Sequence, residues 1–275
     1  MSAPLQERIS YLLIDTHNHA LAQTALRNSQ IAFPLKNRLV FSDVKNGWDA
    51  SDFIKIDPIN SVQGYCEFLL KHAWRFVKTE FFIVLQYDGF VLNGNCFSDA
   101  FLDYDYIGAP WPHFDFHKVG NGGFSLRSKR LMQAVEPLLE PQDFLLPEDV
   151  VICRKYRRQL ERETVVKFAP VPVAEKFSQE LSVLNHPTFG FHGYTLLPLV
   201  YRNNLEFLFQ HLPPSKNKNK FNEFKVGCKA LGIDETGHDG FMKWCVESRD
   251  CQNTKNHLSL GCYVTNLKFV LDKEI

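Results

Sequence analysis

Phe81-Phe82-Ile83-Val84-Leu85-Gln86-Tyr87-Asp88 (FFIVLQYD) is the stretch on which the fold turns. Five apolar residues run without a break and then give way to polar side chains. A strand covered on both faces reads as such an unbroken run, whereas a half-exposed strand alternates. FFIVL is therefore expected in the middle of a parallel sheet, with Gln86, Tyr87 and Asp88 at its carboxyl end.

The same grammar extends in both directions. Tyr11–Asp15 (YLLID) is a second buried strand, and Ala20 to Ile31 carries apolar residues at helical spacing. Strands follow at Arg38–Phe41 and Phe53–Ile56. A long helix is expected over Val62 to Val77, built on Tyr65, Phe68, Leu69, Ala73 and Phe76. Repeated strand–helix–strand units predict an α/β fold, a mostly parallel sheet flanked by helices. Downstream, Tyr106–Ala109 reads as a strand entering Pro110-Trp111-Pro112, and Gly120–Arg127 as a glycine-rich turn running into a strand. Helices are expected over Ser128–Leu139 and Asp149–Arg162, then strands at Val165–Val173 and Thr188–His192. Prolines followed by a Lys/Asn run at residues 213–220 read as a linker, dividing a domain of residues 1–212 from a small C-terminal extension, 221–275, of unassigned fold.

Composition narrows the function classes. Lys+Arg and Asp+Glu are equal at 31 each among 275 residues, so there is no bulk positive charge to neutralise phosphates. A nucleic-acid partner and a polybasic membrane patch are not expected. No segment approaches the roughly 20 apolar residues that span a bilayer, and the first residues lack a secretory apolar region. Seven irregularly spaced cysteines do not suggest a disulfide framework, and a cytoplasmic setting is expected. Cys228, Cys245, Cys251 and Cys262 form no C-x-x-C pair, so buried thiols are expected there rather than a zinc site.

Polar residues at strand ends are the candidate ligands, because open α/β sheets bind beyond the carboxyl ends of their strands. Four clusters stand there: Asp15-Thr16-His17, Ser42-Asp43, Gln86-Tyr87-Asp88 and Glu148-Asp149. Asp88 follows the most apolar strand and precedes Gly89, a placement suited to an oxygen-ligated Mg²⁺ or Mn²⁺ that also holds phosphates. Glu148 and Asp149 either complement a helix dipole or supply a general base. Gly120-Asn121-Gly122-Gly123 is either a tight turn or a backbone surface for a flat ligand. His192, between glycines, is either a metal ligand or a turn histidine, and Trp111 either stacks on a sugar or packs in the core.

Together these motifs resemble the GT-A class of nucleotide-sugar glycosyltransferases, and more closely an uncharacterised glycosyltransferase-like domain family of bacteria and viruses. The likeness is carried by Gln86-x-Asp88, Asp103-Tyr104-Asp105-Tyr106-Ile107-Gly108-Ala109-Pro110-Trp111, Gly120 to Arg127 (GNGGFSLR), Pro147-Glu148-Asp149-Val150 and Phe189-Gly190-Phe191-His192. It implies a GT-A-like, Rossmann-type fold and transfer, with inversion, of a sugar from a nucleotide diphosphate-sugar donor to a glycan, lipid-linked or protein acceptor, the inverting reaction in this class being the one that uses an acidic base. It implies a divalent metal, Mn²⁺ or Mg²⁺, on Asp88 and His192, and a catalytic base in Asp149 or its neighbour Glu148. Asn121, Gly122 and Gly123 match the segment lining the sugar pocket, with Gln86 and Tyr87 beside the donor. Asp15, Thr16 and Asp43 stand where base and ribose would lie, and Trp111 where an acceptor would stack. Gln86 departs from the family pattern, occupying the place of the first aspartate of the metal motif.

Two other readings compete. One is a GT-A-like domain that binds a sugar nucleotide or glycan without turnover, which the Gln86 departure favours. The other is an amidohydrolase-like barrel, because Asp15-Thr16-His17-Asn18-His19 contains the His-x-His phrase in which His17 and His19 would bind a metal. That barrel needs eight strand–helix units, typically about 250 residues.

Overall fold

The computed structural model describes residues 4–180, 186–234 and 238–253. Nine strands are present among them: β1 (Ile9–Ile14), β2 (Asn37–Ser42), β3 (Phe53–Lys55), β4 (Phe81–Leu85), β5 (Gly89–Val91), β6 (Tyr106–Gly108), β7 (Ser125–Ser128), β8 (Ser178–Gln179) and β9 (Gly190–His192). Six of them form one sheet in the order β3-β2-β1-β4-β7-β6. β1 runs parallel to β2 and β4, and β2 parallel to β3, while β7 is antiparallel to both β4 and β6. The fold is α/β, a mostly parallel sheet flanked by helices. Every residue of β1 and β4 is buried, as the unbroken apolar runs require of strands with neighbours on both edges and cover on both faces. The open sheet rules out the closed barrel that the His-x-His phrase suggested.

Several elements differ from expectation. The helix beginning at Val62, capped by Ser61 Oγ accepting from the Gly64 amide, stops at Lys71 and continues as a tight turn over Ala73–Phe76. Asp149–Arg162 is broken into a short turn at Glu148–Val150, a π-helical stretch at Val151–Lys155 and a helix at Arg157–Glu163. Val165–Val173 forms no strand: Phe168 makes a single bridge to Tyr106, and Val171–Phe177 is a helix opened by Pro170 and Pro172. Proline fits the first turn of a helix because its missing N–H has no partner there in any case.

The described residues divide into two compact units, 4–180 with 186–192, and 193–234 with 238–253. Pro213–Lys220 thus falls inside the second unit and not at its border, and Lys218 to Lys220 already belong to the helix Lys218–Ala230. Asn217 caps that helix, its side chain accepting from the Asn219 and Lys220 amides. Phe209, Phe221, Phe224, Phe241 and Trp244 form the aromatic core of this unit. Cys228 and Cys245 are buried, while Cys262 and the side chain of Cys251 lie outside the described residues.

Candidate functional site

β4 ends in a two-residue turn. Gln86 and Gly89 exchange backbone hydrogen bonds of 2.9 and 3.0 Å, leaving Tyr87 and Asp88 at the apex. The chain then enters β5, which joins a second, three-stranded sheet in the order β5-β9-β8. Antiparallel register sets Gly89 opposite His192, so Asp88 and His192 meet across it with Oδ1 and Nε2 3.7 Å apart. Parallel pairing of β8 with β9 sets Gln179 beside Phe191, and the next residue, Glu180, brings Oε1 to 3.1 Å from His192 Nδ1. Asn121 Nδ2 lies 3.0 Å from the same nitrogen.

The Asn121–Gly123 turn passes between this group and the acidic pair. A Cβ on Gly123 would stand 2.1 Å from His192 Nε2 and 2.8 Å from Gln86 Oε1; one on Gly122 would stand 2.2 Å from Glu148 Oε1. Both positions require glycine because backbone and side chains are in closest approach there. The Gly122 amide donates to Asp149 Oδ2 (2.8 Å) and the Val150 amide to Asp149 Oδ1 (2.7 Å). Burial pushes the Asp149 carboxyl well above the ordinary carboxylate value, and the negative charge of Glu148 adds to the shift. The Gly122 amide and the Arg127 charge pull the other way without cancelling it.

Glu148 is occupied differently. Its Oε1 accepts from a terminal guanidinium nitrogen of Arg127 at 2.7 Å, and Arg127 is wholly buried. Arg127 also donates to Ser125 Oγ (3.0 Å) and the Gly122 carbonyl (3.2 Å), and it lies over the Tyr106 ring. One guanidinium therefore ties β7, the glycine turn and the acidic pair together.

On the other side of Gln86 a cleft of about 330 Å³ opens at the carboxyl ends of β1 and β4. Asp15, Thr16, His17, Tyr65, Gln86 and Tyr87 are among its walls, and residues 59–62 close it. Asp15 Oδ1 accepts from the His17 and Asn18 amides, and burial raises its carboxyl above the ordinary value. Gln86 Nε2 donates to the Tyr65 hydroxyl at 2.9 Å.

The residues singled out in the sequence thus fall into three groups. Asp15, Thr16, Gln86 and Tyr87 line the cleft; Asp88 and His192 meet beside Asn121 and Gly123; Glu148 and Asp149 flank Gly122. Asp43 is not a cleft wall and pairs with His19 at 2.8 Å, a bond that holds its carboxyl below the usual range. Trp111 is 6% exposed and covers Gly120, whose added Cβ would stand 2.0 Å from the ring. His17 and His19 do not share a ligand: the first contacts the Ile59 carbonyl at 2.6 Å and the second Asp43. Arg127, Glu180 and Tyr65 were not singled out as site residues by the sequence reading. Arg127 sits inside the GNGGFSLR phrase as the one charged residue of a short strand, and that was the available signal.

Among the described residues no three His, Cys, Asp or Glu side chains converge to hold a metal. Asp88 and His192 offer one hard oxygen and one imidazole nitrogen. That donor pair does not suit an all-protein cage. It does suit a Mg²⁺ or Mn²⁺ ion whose other positions are taken by substrate phosphates and water. No helix among the described residues is long and apolar enough to cross a membrane.

Comparison with known proteins gives three findings. Among solved structures the chain is similar to a glycosyltransferase involved in the glycosylation of the major capsid of PBCV-1, at 12% identity and a TM-score of 0.44, over 67% of this chain and 91% of that one. No curated protein matches it. A family described as "Protein of unknown function (DUF5672)" matches residues 50–192, a span that includes every motif from Gln86 to His192 and leaves out Asp15, Thr16 and Asp43. With more than half of its length matched, the chain belongs to the DUF5672 family.

Proposed function

We propose that this chain transfers a sugar from a nucleotide diphosphate-sugar donor to an acceptor hydroxyl, with inversion and with the help of Mn²⁺ or Mg²⁺. The observation that supports this most is the arrangement about two glycines. The Asp149 carboxylate lies against Gly122, the Asp88–His192 pair lies against Gly123, and Gln86 links that pair to the cleft. In this reading the cleft takes the nucleotide, and the Asn121–Gly123 backbone lies along the sugar.

An acceptor hydroxyl is a weak nucleophile at neutral pH. Asp149 would take its proton as the new bond forms at the anomeric carbon, and its raised proton affinity makes it a better base than an ordinary aspartate. Glu148, engaged by Arg127, holds the turn rather than the proton. The bound ion would supply charge stabilisation to the departing diphosphate. Asp88 and His192 would hold that ion, and Gly123 gives it room.

The test is a panel of nucleotide sugars incubated with the protein and Mn²⁺, followed by assay of released nucleoside diphosphate. Sugar-dependent release is expected with one donor above the rest. A donor that binds but is never turned over would favour the non-catalytic binder, the reading that the Gln86 departure supports. Failure of every donor to bind would sink both.

A further inference from the structure

We infer that Glu180 is a positioning residue that fixes the His192 ring with its proton on Nδ1, so that Nε2 presents a lone pair on the side of Asp88. This rests on the reading of Asp88 and His192 as metal ligands. The argument begins with a conflict at one atom. Nδ1 of a neutral imidazole is either donor or acceptor, never both. Glu180 Oε1, 3.1 Å away, can only accept, whereas Asn121 Nδ2, 3.0 Å away, can only donate.

The two neighbours differ in what they lose by yielding. A bare Nδ1 would set its lone pair against a carboxylate, whereas an Nδ1–H would make a charge-assisted bond to it, roughly twice as strong as a neutral one. Asn121 can yield by turning its amide through half a circle. Its Oδ1 is buried and has no hydrogen-bond partner among the described residues, so the turn breaks nothing there and brings Oδ1 round to Nδ1–H. Oxygen and nitrogen of such an amide are assigned by the network around them. Asn121 is 4% exposed, so water is a poor substitute partner. The conflict at Nδ1 vanishes once that nitrogen carries the proton, and Oδ1 gains a donor as Nδ2 takes its former place.

The consequence reaches Asp88. With the opposite tautomer Nε2–H would point its proton at the Asp88 side, and no cation could share that space. With Nδ1–H held by Glu180, Nε2 and Asp88 Oδ1, 3.7 Å apart, face each other as two electron-pair donors. A carboxylate behind a ligating histidine also raises its basicity, and removing such a partner typically costs 10–100-fold in metal affinity.

The experiment has two readouts on the full-length protein at pH 8. Long-range ¹H–¹⁵N NMR reports the tautomer of His192, its signals identified by their loss in His192→Gln, and electron paramagnetic resonance titrates free Mn²⁺. Wild-type protein is expected to show Nδ1–H. Glu180→Gln, which keeps the size but can turn a donor toward the ring, is expected to populate Nε2–H and weaken Mn²⁺ binding by at least 10-fold. Glu180→Asp, with a shorter reach, should lie between. A wild-type ring carrying its proton on Nε2, or on both nitrogens, overturns the role of Glu180. So does a Glu180→Gln protein that leaves both tautomer and affinity unchanged. Wild-type protein that shows Nδ1–H yet binds no Mn²⁺ overturns the metal reading instead, and with it the assignment of Nε2 as a ligand.

Discussion

Removing either partner of the Arg127–Glu148 pair should be far more damaging than removing both. Arg127 is wholly buried and the Glu148 side chain 7% exposed, with 2.7 Å between the bonded atoms. Arg127→Met leaves a carboxylate in that site, and Glu148→Met leaves a guanidinium that cannot shed its proton. Stranding a buried charge typically costs ~3–5 kcal/mol, whereas replacing a whole buried pair by apolar residues of similar volume is often neutral. The double variant also loses the Arg127 bonds to Ser125 Oγ and the Gly122 carbonyl, at about 1 kcal/mol each. It should therefore sit about 2 kcal/mol below wild type and recover ~4–8 kcal/mol relative to the sum of the singles. Glu148→Met should be the worse single, because the stranded carboxylate can protonate and the stranded guanidinium cannot. Urea unfolding followed by circular dichroism at neutral pH measures all four corners of the cycle. A coupling below about 0.5 kcal/mol would refute the reasoning, and Glu148 would again be free to act as a base.

Asp149→Asn should cut turnover by at least ~10²-fold while donor affinity changes only a few-fold, as for a base acting in the transition state; equal rates on a confirmed donor would remove Asp149 from the chemistry. The folded chain also binds the Asp149 proton more tightly than the unfolded one, so wild-type stability should fall as pH rises from about 4 through the raised value. Asp149→Asn should flatten that fall, and identical pH–stability curves would contradict the shift. Asp105→Ala should cost ~2–4 kcal/mol in denaturant, because it takes the acceptor from the buried Ser128 hydroxyl and from the Lys167 amide, at ~1–3 kcal/mol each, while Arg130 stays half-exposed; a loss below about 1 kcal/mol would show the network to be dispensable. Gly120→Ala would drive a methyl into the Trp111 ring, and a marked drop in melting temperature is expected; an unchanged one would mean that Trp111 does not pack there.

The sheet was legible because its decisive strands are buried on both faces. YLLI and FFIVL admit almost no polar side chain, and such runs keep their meaning wherever they stand. β4 was read to its boundaries, and the strand-end positions of Gln86 and Asp88 followed from it, as that of Asp15 followed from β1. The elements that were misread are those whose form depends on a partner. Phe168 bridges to Tyr106 at one point only, and the helical stretch that follows the acidic pair passes through a π turn at Val151–Lys155. Neither leaves a periodic trace in the sequence.

The sequence by itself determined which residues are candidates, since a carboxylate after a buried strand or beside paired glycines is visible as a pattern. Only the tertiary structure decided what each of them touches. Glu148 and Asp149 are adjacent in the chain and chemically alike, yet one is tied to Arg127 and the other to the Gly122 amide. Glu180 carries no motif at all and reaches His192 because β8 and β9 pair in a particular register. Proton affinity, tautomer and ion pairing are set by neighbours within about 4 Å, and folding, not sequence order, chooses those neighbours.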